Sequence, residues 1–277
     1  MRYTLMSGAG NLFAVFDGFA EPLPADPAAL ARALCAGPAA GGVEPRPDGL
    51  LLVRPGRRGG DCAMELYNAD GSRPETCGNG LRCVAKLAVD RGHVRGPRFV
   101  IEADAGPCKA EVELERGKVT RARIGMGLPR ILEREARLEL PGRAPVLATL
   151  VDMGNPHCVL FVEDERTAPV ATLGPLLERH ARFPKGTNVE FLALRSEGAF
   201  LRGWERGVGE TAACGSGACA AASAAELHGR ARLPLALELP GGRLEVSQIP
   251  GGALELAGPV EEFGSGVFGG VDAPRAR

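Results

Sequence analysis

Two cysteines sit in nearly the same short motif in the two halves of a 277-residue chain. Residues 75–83 read E-T-C-G-N-G-L-R-C and residues 210–219 read E-T-A-A-C-G-S-G-A-C, so Cys77 and Cys214 each open a Cys-Gly-x-Gly turn. Each turn runs into an Ala-rich apolar stretch of helical character. A thiol just ahead of a helix faces unpaired N–H groups with an aggregate positive charge, which lowers a thiol pKa and makes a place for a carboxylate. The glycines at 78, 80, 215 and 217 let the backbone approach such a ligand closely. Removing the proton α to an amino acid carboxylate, then returning one to the opposite face, inverts the carbon. That needs one base and one acid facing each other. A thiolate and a thiol do both jobs and exchange roles in the reverse direction, while the helix N–H groups stabilise charge building on the carboxylate. The scheme requires no metal and no pyridoxal cofactor.

The other thiols read differently. Cys83 and Cys219 lie six and five residues after Cys77 and Cys214, at positions that are not strict equivalents, and belong to the core. A disulfide framework among the eight cysteines is not expected, because residues 1–6 begin no long apolar run that would mark secretion. A zinc site lacks its usual spacings: no C-x-x-C pair occurs and the four histidines are scattered singly. No stretch of about 18 apolar residues spans a membrane, so a cytoplasmic location is the expectation. The net charge of −1 gives no reason to expect nucleic acid. With 5% aromatic residues the cores must be aliphatic, and the excess of arginine over lysine is a compositional bias.

Short β-like segments must position the turns: 13–16, 50–53, 99–102, 110–115, 119–124, 146–151, 158–162, 189–194, 235–239, 243–247 and 253–257, punctuated by Gly-Pro turns. Helices are expected over 27–36, starting at Pro27 after Asp26, over 79–91 and 215–228 after the two cysteines, and over 172–180. Few β-α-β alternations occur, which argues for an α+β fold over a doubly wound sheet. The two helices after the cysteines carry so few charges that burial on nearly all sides is expected, each wrapped by strands. The half-chain spacing of the repeat favours two domains, the first ending near 115, ahead of a turn at Gly117.

Five segments carry a more specific signal. They are G-A-G-N-L-F (8–13), Y-N-A-D-G-S-R-P-E-T-C-G-N-G-L-R-C-V-A (67–85), M-G-N-P-H-C-V (153–159), F-P-K-G-T-N-V-E-F (183–191) and W-E-R-G-V-G-E-T-A-A-C-G-S-G-A-C (204–219). In this order, over most of the chain, they resemble the diaminopimelate epimerase family, pyridoxal-independent isomerases of lysine and peptidoglycan precursor biosynthesis. The N-A-D-G run separates that family from related proline racemases. The resemblance implies that Cys214 takes the proton and Cys77 returns one in the L,L-to-meso direction. It implies that Gly78, Asn79, Gly215 and Ser216 hold the reacting carboxylate, and that Asn11, Asn68, Asn155, Asn188 and Arg206 hold the distal amino-carboxylate end. Glu205 binds substrate and, with His157, tunes the cysteine pKa values. Arginine is the natural bidentate partner of a carboxylate, and asparagines and a glutamate can pair with an ammonium.

The resemblance further implies two pseudo-symmetric domains, each a curved, barrel-like mixed sheet around a central helix, with the active site in the cleft between them. The C-terminal strand returns to the first domain, giving domains of 1–115 plus 264–277 and of 116–263, and the enzyme works as a homodimer without cofactor. Three positions depart from the family pattern: Ser7 and Leu12 in the first segment, and Gly49 where some members place a glutamine. The family's dimer contact falls at F-G-S-G-V-F (263–268), which holds no tyrosine. Two alternatives stand beside this reading: a racemase of another amino acid, such as histidine or a proline type, on the same scaffold, and a redox or metal-binding protein using Cys77 and Cys214.

Overall fold

The structure, a computed structural model, describes residues 1–74 and 77–269; Glu75 and Thr76 of the first repeat and residues 270–277 of the expected C-terminal return lie outside the described residues. The chain divides into two compact units, Met1–Ala122 with Pro259–Arg277, and Arg123–Gly258. The change of unit falls inside the strand Lys118–Gly127, a few residues beyond the Gly117 turn.

Four α-helices occur among the described residues: α1 (Pro27–Leu34), α2 (Gly78–Asp90), α3 (Val170–Glu178) and α4 (Gly215–Leu227). Each starts and stops within two residues of its expected place. Helix α1 begins as its sequence dictates, with Asp26 accepting from Ala29 N and Pro27 at the first helical position. The remainder is strand, mixed parallel and antiparallel, which makes the fold α+β.

In the first unit, Arg2–Gly8 pairs antiparallel with both Asn11–Asp17 and Glu261–Val267. Asn11–Asp17 runs parallel to Gly49–Pro55, which forms a hairpin with Cys62–Asn68, followed by Arg98–Ala103 and Gly106–Glu115. These strands pack around α2, whose residues from Gly78 to Ala88 are all buried, Arg82 and Lys86 included. In the second unit, Arg130–Leu138, Val146–Asp152, Pro156–Val162, Asn188–Arg195, Gly198–Glu205, Leu235–Leu239, Gly242–Gln248 and Leu254–Pro259 form the corresponding array. It surrounds α4, buried from Gly215 to Ala225. A helix enclosed by strands has no solvated face, which is why Ala, Gly and small polar residues dominate α4.

One buried carboxylate holds the hairpin that carries Asn68. At the turn end of that hairpin, Glu102 is 6% exposed and accepts from the backbone N–H groups of Arg57 (3.1 Å), Arg58 (2.5 Å) and Gly60 (2.9 Å). These donors hold the Glu102 carboxyl down at about 2, from an ordinary 4.5, against the opposing effect of burial. A depressed carboxyl pKa stabilises the fold above its unfolded value, and that stability is lost as pH falls toward the folded one. Acid unfolding between pH 4.5 and pH 2, followed by circular dichroism, is therefore expected to be steeper in the wild type than in Glu102→Gln; identical pH slopes would contradict this role.

Candidate functional site

Both repeat cysteines are helix N-caps. Cys77 is extended (φ −144°, ψ 99°) and its sulfur accepts from Gly80 N at 3.3 Å; Cys214 is extended (φ −116°, ψ 115°) and its sulfur accepts from Gly217 N at 3.4 Å. The first intrahelical bonds, Leu81 N to Cys77 O (3.0 Å) and Ala218 N to Cys214 O (2.9 Å), follow at once. A sulfur thus takes the place that a serine or aspartate oxygen usually holds at such a cap. Gly78, Asn79, Gly215 and Ser216 are the first two residues of the two helices, where N–H groups have no intrahelical acceptor and can serve a carboxylate. Both thiols are half-buried, whereas Cys83 and Cys219 are fully buried, and burial raises Cys83 to about 12.

Each unit gathers its own set of expected residues. In the first, Asn79 lies beneath the Cys77 turn, 2% exposed. Its amide donates to Asn11 Oδ1, and its own Oδ1 accepts from the buried Arg82 at 2.7 Å. Asn11 opens its strand where Gly8 crosses α2, so close that a Cβ on Gly8 would lie 2.6 Å from Asn79 O. Asn68 closes the strand Cys62–Asn68 and donates through Nδ2 to Ser72 Oγ at 3.0 Å, holding the N-A-D-G-S turn. Of the three departures only Gly49 has a structural explanation; Leu12 is held through its backbone alone. Leu12 N donates to Asp48 Oδ2 at 2.8 Å and Asp48 N donates to Leu12 O at 2.7 Å. At Gly49 a Cβ would stand 2.7 Å from Tyr67 O, so this backbone admits no side chain there.

In the second unit, Asn155, His157, Ser216 and Cys214 form a chain. His157 Nε2 meets Asn155 Oδ1 at 2.9 Å, Asn155 Nδ2 donates to Ser216 Oγ at 3.3 Å, and Ser216 Oγ lies 3.5 Å from Cys214 Sγ. Glu205 accepts from the Thr211 hydroxyl, and its carboxylate lies near enough to Cys214 to act on it electrostatically. Burial lifts the Glu205 carboxyl above its ordinary range, and the nearby Glu190 adds to the effect. Asn188 is 5% exposed and its amide is engaged by backbone: Arg206 N donates to Oδ1 at 3.0 Å and Nδ2 donates to Pro156 O at 2.9 Å. It holds the turn that presents Arg206. The same turn is clamped from α3 by Glu178, which accepts from Trp204 Nε1 (2.7 Å) and Gly207 N (2.8 Å).

Glu190, Glu178, Thr211 and Arg82 were not singled out from sequence. The signal for Glu190 is a lone acid in the apolar run V-E-F-L, where every residue is buried. Arg82 and Glu178 look like ordinary helix-surface charges, and only the enclosure of α2 and the packing of α3 show otherwise. No helix among the described residues is long and apolar enough to cross a membrane, and no cluster of three or more metal-binding side chains occurs among them.

Cys214 is pushed well above its ordinary 9.0, first by burial and then by the Glu205 and Glu190 carboxylates; the Ser216 hydroxyl and Gly217 N–H pull the other way. The thiol is therefore protonated at neutral pH in the substrate-free protein. Alkylation of Cys214 by iodoacetamide, read by peptide mass spectrometry, is expected to stay slow at neutral pH with its midpoint above 9.0; a midpoint below that value would contradict the assignment.

The sequence profile described as diaminopimelate epimerase matches residues 3–132 and 149–260. The diaminopimelate epimerase of Moorella thermoacetica is 41% identical over 283 residues, covering 97% of this chain and 99% of the relative. That of Geobacillus thermodenitrificans is 40% identical, covering 96% of each. Among solved structures, a probable proline racemase from Agrobacterium radiobacter superimposes with a TM-score of 0.71 at 18% identity, covering 99% of this chain and 94% of the other. A predicted epimerase from Pseudomonas aeruginosa gives 0.70 at 18% identity, covering 98% and 99%. These structures share the fold.

Proposed function

The chain belongs to the diaminopimelate epimerase family, and from that premise we propose that it interconverts L,L- and meso-diaminopimelate by a two-thiol proton transfer. The observation that carries the reading is the pair of cysteine N-caps, each with its sulfur on a first-turn N–H of a buried helix. In the L,L-to-meso direction Cys214 takes the α-proton and Cys77 returns one; in reverse the roles exchange. The N–H groups of Gly78, Asn79, Gly215 and Ser216 receive the reacting carboxylate and stabilise the charge that builds on it as the α-carbon becomes planar.

The high pKa of Cys214 fits this cycle. The Glu205 carboxylate disfavours its thiolate until a cation offsets it. The substrate carries that cation: an ammonium placed against Glu205 removes the penalty and frees the thiolate as the base. His157 contributes through Asn155 and Ser216 to the same thiol. Arg206, presented by the turn that Asn188 and Glu178 hold, pairs with the distal carboxylate, and Asn11, Asn68 and Asn155 complete the binding of that end. Fixing the distal end in one hand selects between stereoisomers.

The family reading carries with it a cytoplasmic homodimer acting in lysine and peptidoglycan precursor biosynthesis. The exposed Phe263 and Val267, in the segment where the family's dimer contact falls, support the assembly.

Turnover of L,L-diaminopimelate by reduced protein, compared with a panel of proline, histidine and hydroxyproline, tests the substrate; turnover of another amino acid but not of diaminopimelate would favour a different racemase on this scaffold. Cys77→Ala and Cys214→Ala are each expected to lower kcat by about 10²–10⁴-fold or more, the range of a lost acid or base. Losing the cap costs only about 0.5–2 kcal/mol, small against whole-domain stability, so both variants remain folded by circular dichroism. A fully active single variant would refute the two-thiol scheme.

A further inference from the structure

Behind the Cys214 turn lies a buried acid that the proton-transfer scheme does not use. Glu190 sits in the strand Asn188–Arg195, 2% exposed, and its Oε1 is 2.7 Å from His157 Nδ1. His157 is itself 1% exposed. The two strands that carry them run parallel, with His157 opposite Asn188 and Val159 opposite Glu190, so the acid reaches back to the imidazole across the pair. Glu190 also lies against α4. A Cβ on Gly217 would stand 2.7 Å from Glu190 Oε1 and 3.3 Å from Cys214 Sγ, so the carboxylate and the thiol leave no room for a methyl between them. A glycine is therefore required where the helix N–H caps the sulfur.

The hydrogen bonds beyond His157 have a direction. Asn155 donates through Nδ2 to Ser216 Oγ, which leaves its carbonyl Oδ1 toward His157; an amide oxygen only accepts, so His157 Nε2 must carry a proton. Ser216 Oγ accepts from Asn155, and once Cys214 has lost its proton the Ser216 hydrogen is the donor left to face the sulfur. The donors thus run from His157 through Asn155 and Ser216 to the sulfur. A neutral imidazole holds one proton, and with that proton on Nε2 its Nδ1 can only accept. Nδ1 faces a carboxylate oxygen, so a second proton must lie between them. If the single proton of a neutral ring moved to Nδ1, Nε2 would become an acceptor and the Asn155 amide would turn over. Ser216 would then donate to Asn155 and its hydrogen would leave the sulfur.

We propose, resting on the two-thiol reading above, that Glu190 is a positioning residue: its buried carboxylate keeps two protons on the His157–Glu190 pair and so sets the direction of the hydrogen-bond chain that ends on the Cys214 sulfur. It touches no substrate. Its effect is on the orientation of the Ser216 donor at the moment Cys214 holds negative charge, so it acts chiefly on kcat; of the residues at the distal end only Asn155 belongs to the chain, and Arg206, Asn11 and Asn68 lie outside it.

Two measurements on the full chain test this. The first is ¹⁵N NMR of the imidazole nitrogens in the substrate-free wild type, tractable with four histidines in the sequence. The expected result for His157 is a protonated Nε2 together with a proton shared at Nδ1. An Nε2 without a proton would overturn the proposal. The second is Glu190→Gln, which keeps the shape but cannot neutralise a doubly protonated ring. In this variant kcat is expected to fall about tenfold to a hundredfold with KM within about threefold, the pattern of a misaligned reacting group. An unchanged kcat in folded Glu190→Gln, or a rise in KM alone, would overturn it. If that variant does not fold, the wild-type spectrum decides. The spectrum needs no substrate, so a protein that fails to turn over diaminopimelate would sink the functional reading while the role of Glu190 is still settled by the ring protons.

Discussion

The feature on which the rest depends is a helix N-terminus capped by sulfur and enclosed by strands. A cap must stand at the first turn, and its side chain must face the N–H of the third helical residue. That geometry fixes Cys77 Sγ and Cys214 Sγ to within a narrow range before any other residue is considered. It also places two further N–H groups beside each sulfur, so thiol and carboxylate donors come as one unit. Enclosure of α2 and α4 then explains the surrounding composition. A side chain at Gly80 would press on Leu51 and one at Gly217 on Glu190 and the Cys214 sulfur, and alanine fills the turns of α4 beyond because strands pack around that helix.

The two cysteine turns share this plan but differ in the charge behind them. Beneath the Cys77 turn lies Arg82, fully buried, donating to Asn79 and to Gly78 O. Around Cys214 stand two acids, Glu190 and Glu205, and one imidazole. The same cap is therefore held by a cationic neighbour in one unit and an anionic set in the other. A reaction that needs one thiol charged and its partner neutral has a use for such asymmetry, because identical surroundings would give the two sulfurs no order of ionisation.

Much of this was legible in the sequence. The repeated Cys-Gly-x-Gly turn marked both caps, and apolar stretches without charge marked both buried helices. The strands that escaped notice did so for physical reasons. Arg130–Leu138 reads R-I-L-E-R-E-A-R-L, a helical composition, yet it is a largely exposed strand paired with Val146–Asp152, because pairing rather than propensity decides. Cys62–Asn68 lacks β-branched residues, and Glu261–Val267 contains two glycines; each is held by its neighbours instead. In the site, residues that belong to quoted motifs were placed readily. Asn188 shows the limit of that route: its position was legible, but its use in holding Arg206 N and Pro156 O appears only in three dimensions. Glu190 is not legible as a site residue, because nothing in V-E-F shows that its partner is the imidazole across the strand pair.

The central claim is that two different thiols serve the two faces of one carbon, and isotope placement tests it most directly. Wild-type protein is incubated with L,L-diaminopimelate in heavy water, and product and remaining substrate are separated at early conversion. With two bases, the proton removed stays on one sulfur while the other delivers deuterium. The meso product should then carry deuterium at the inverted α-carbon and the recovered L,L substrate should carry almost none. Meso product free of deuterium, or L,L substrate labelled as fast as product forms, would mean that one group handles both faces and would contradict the account.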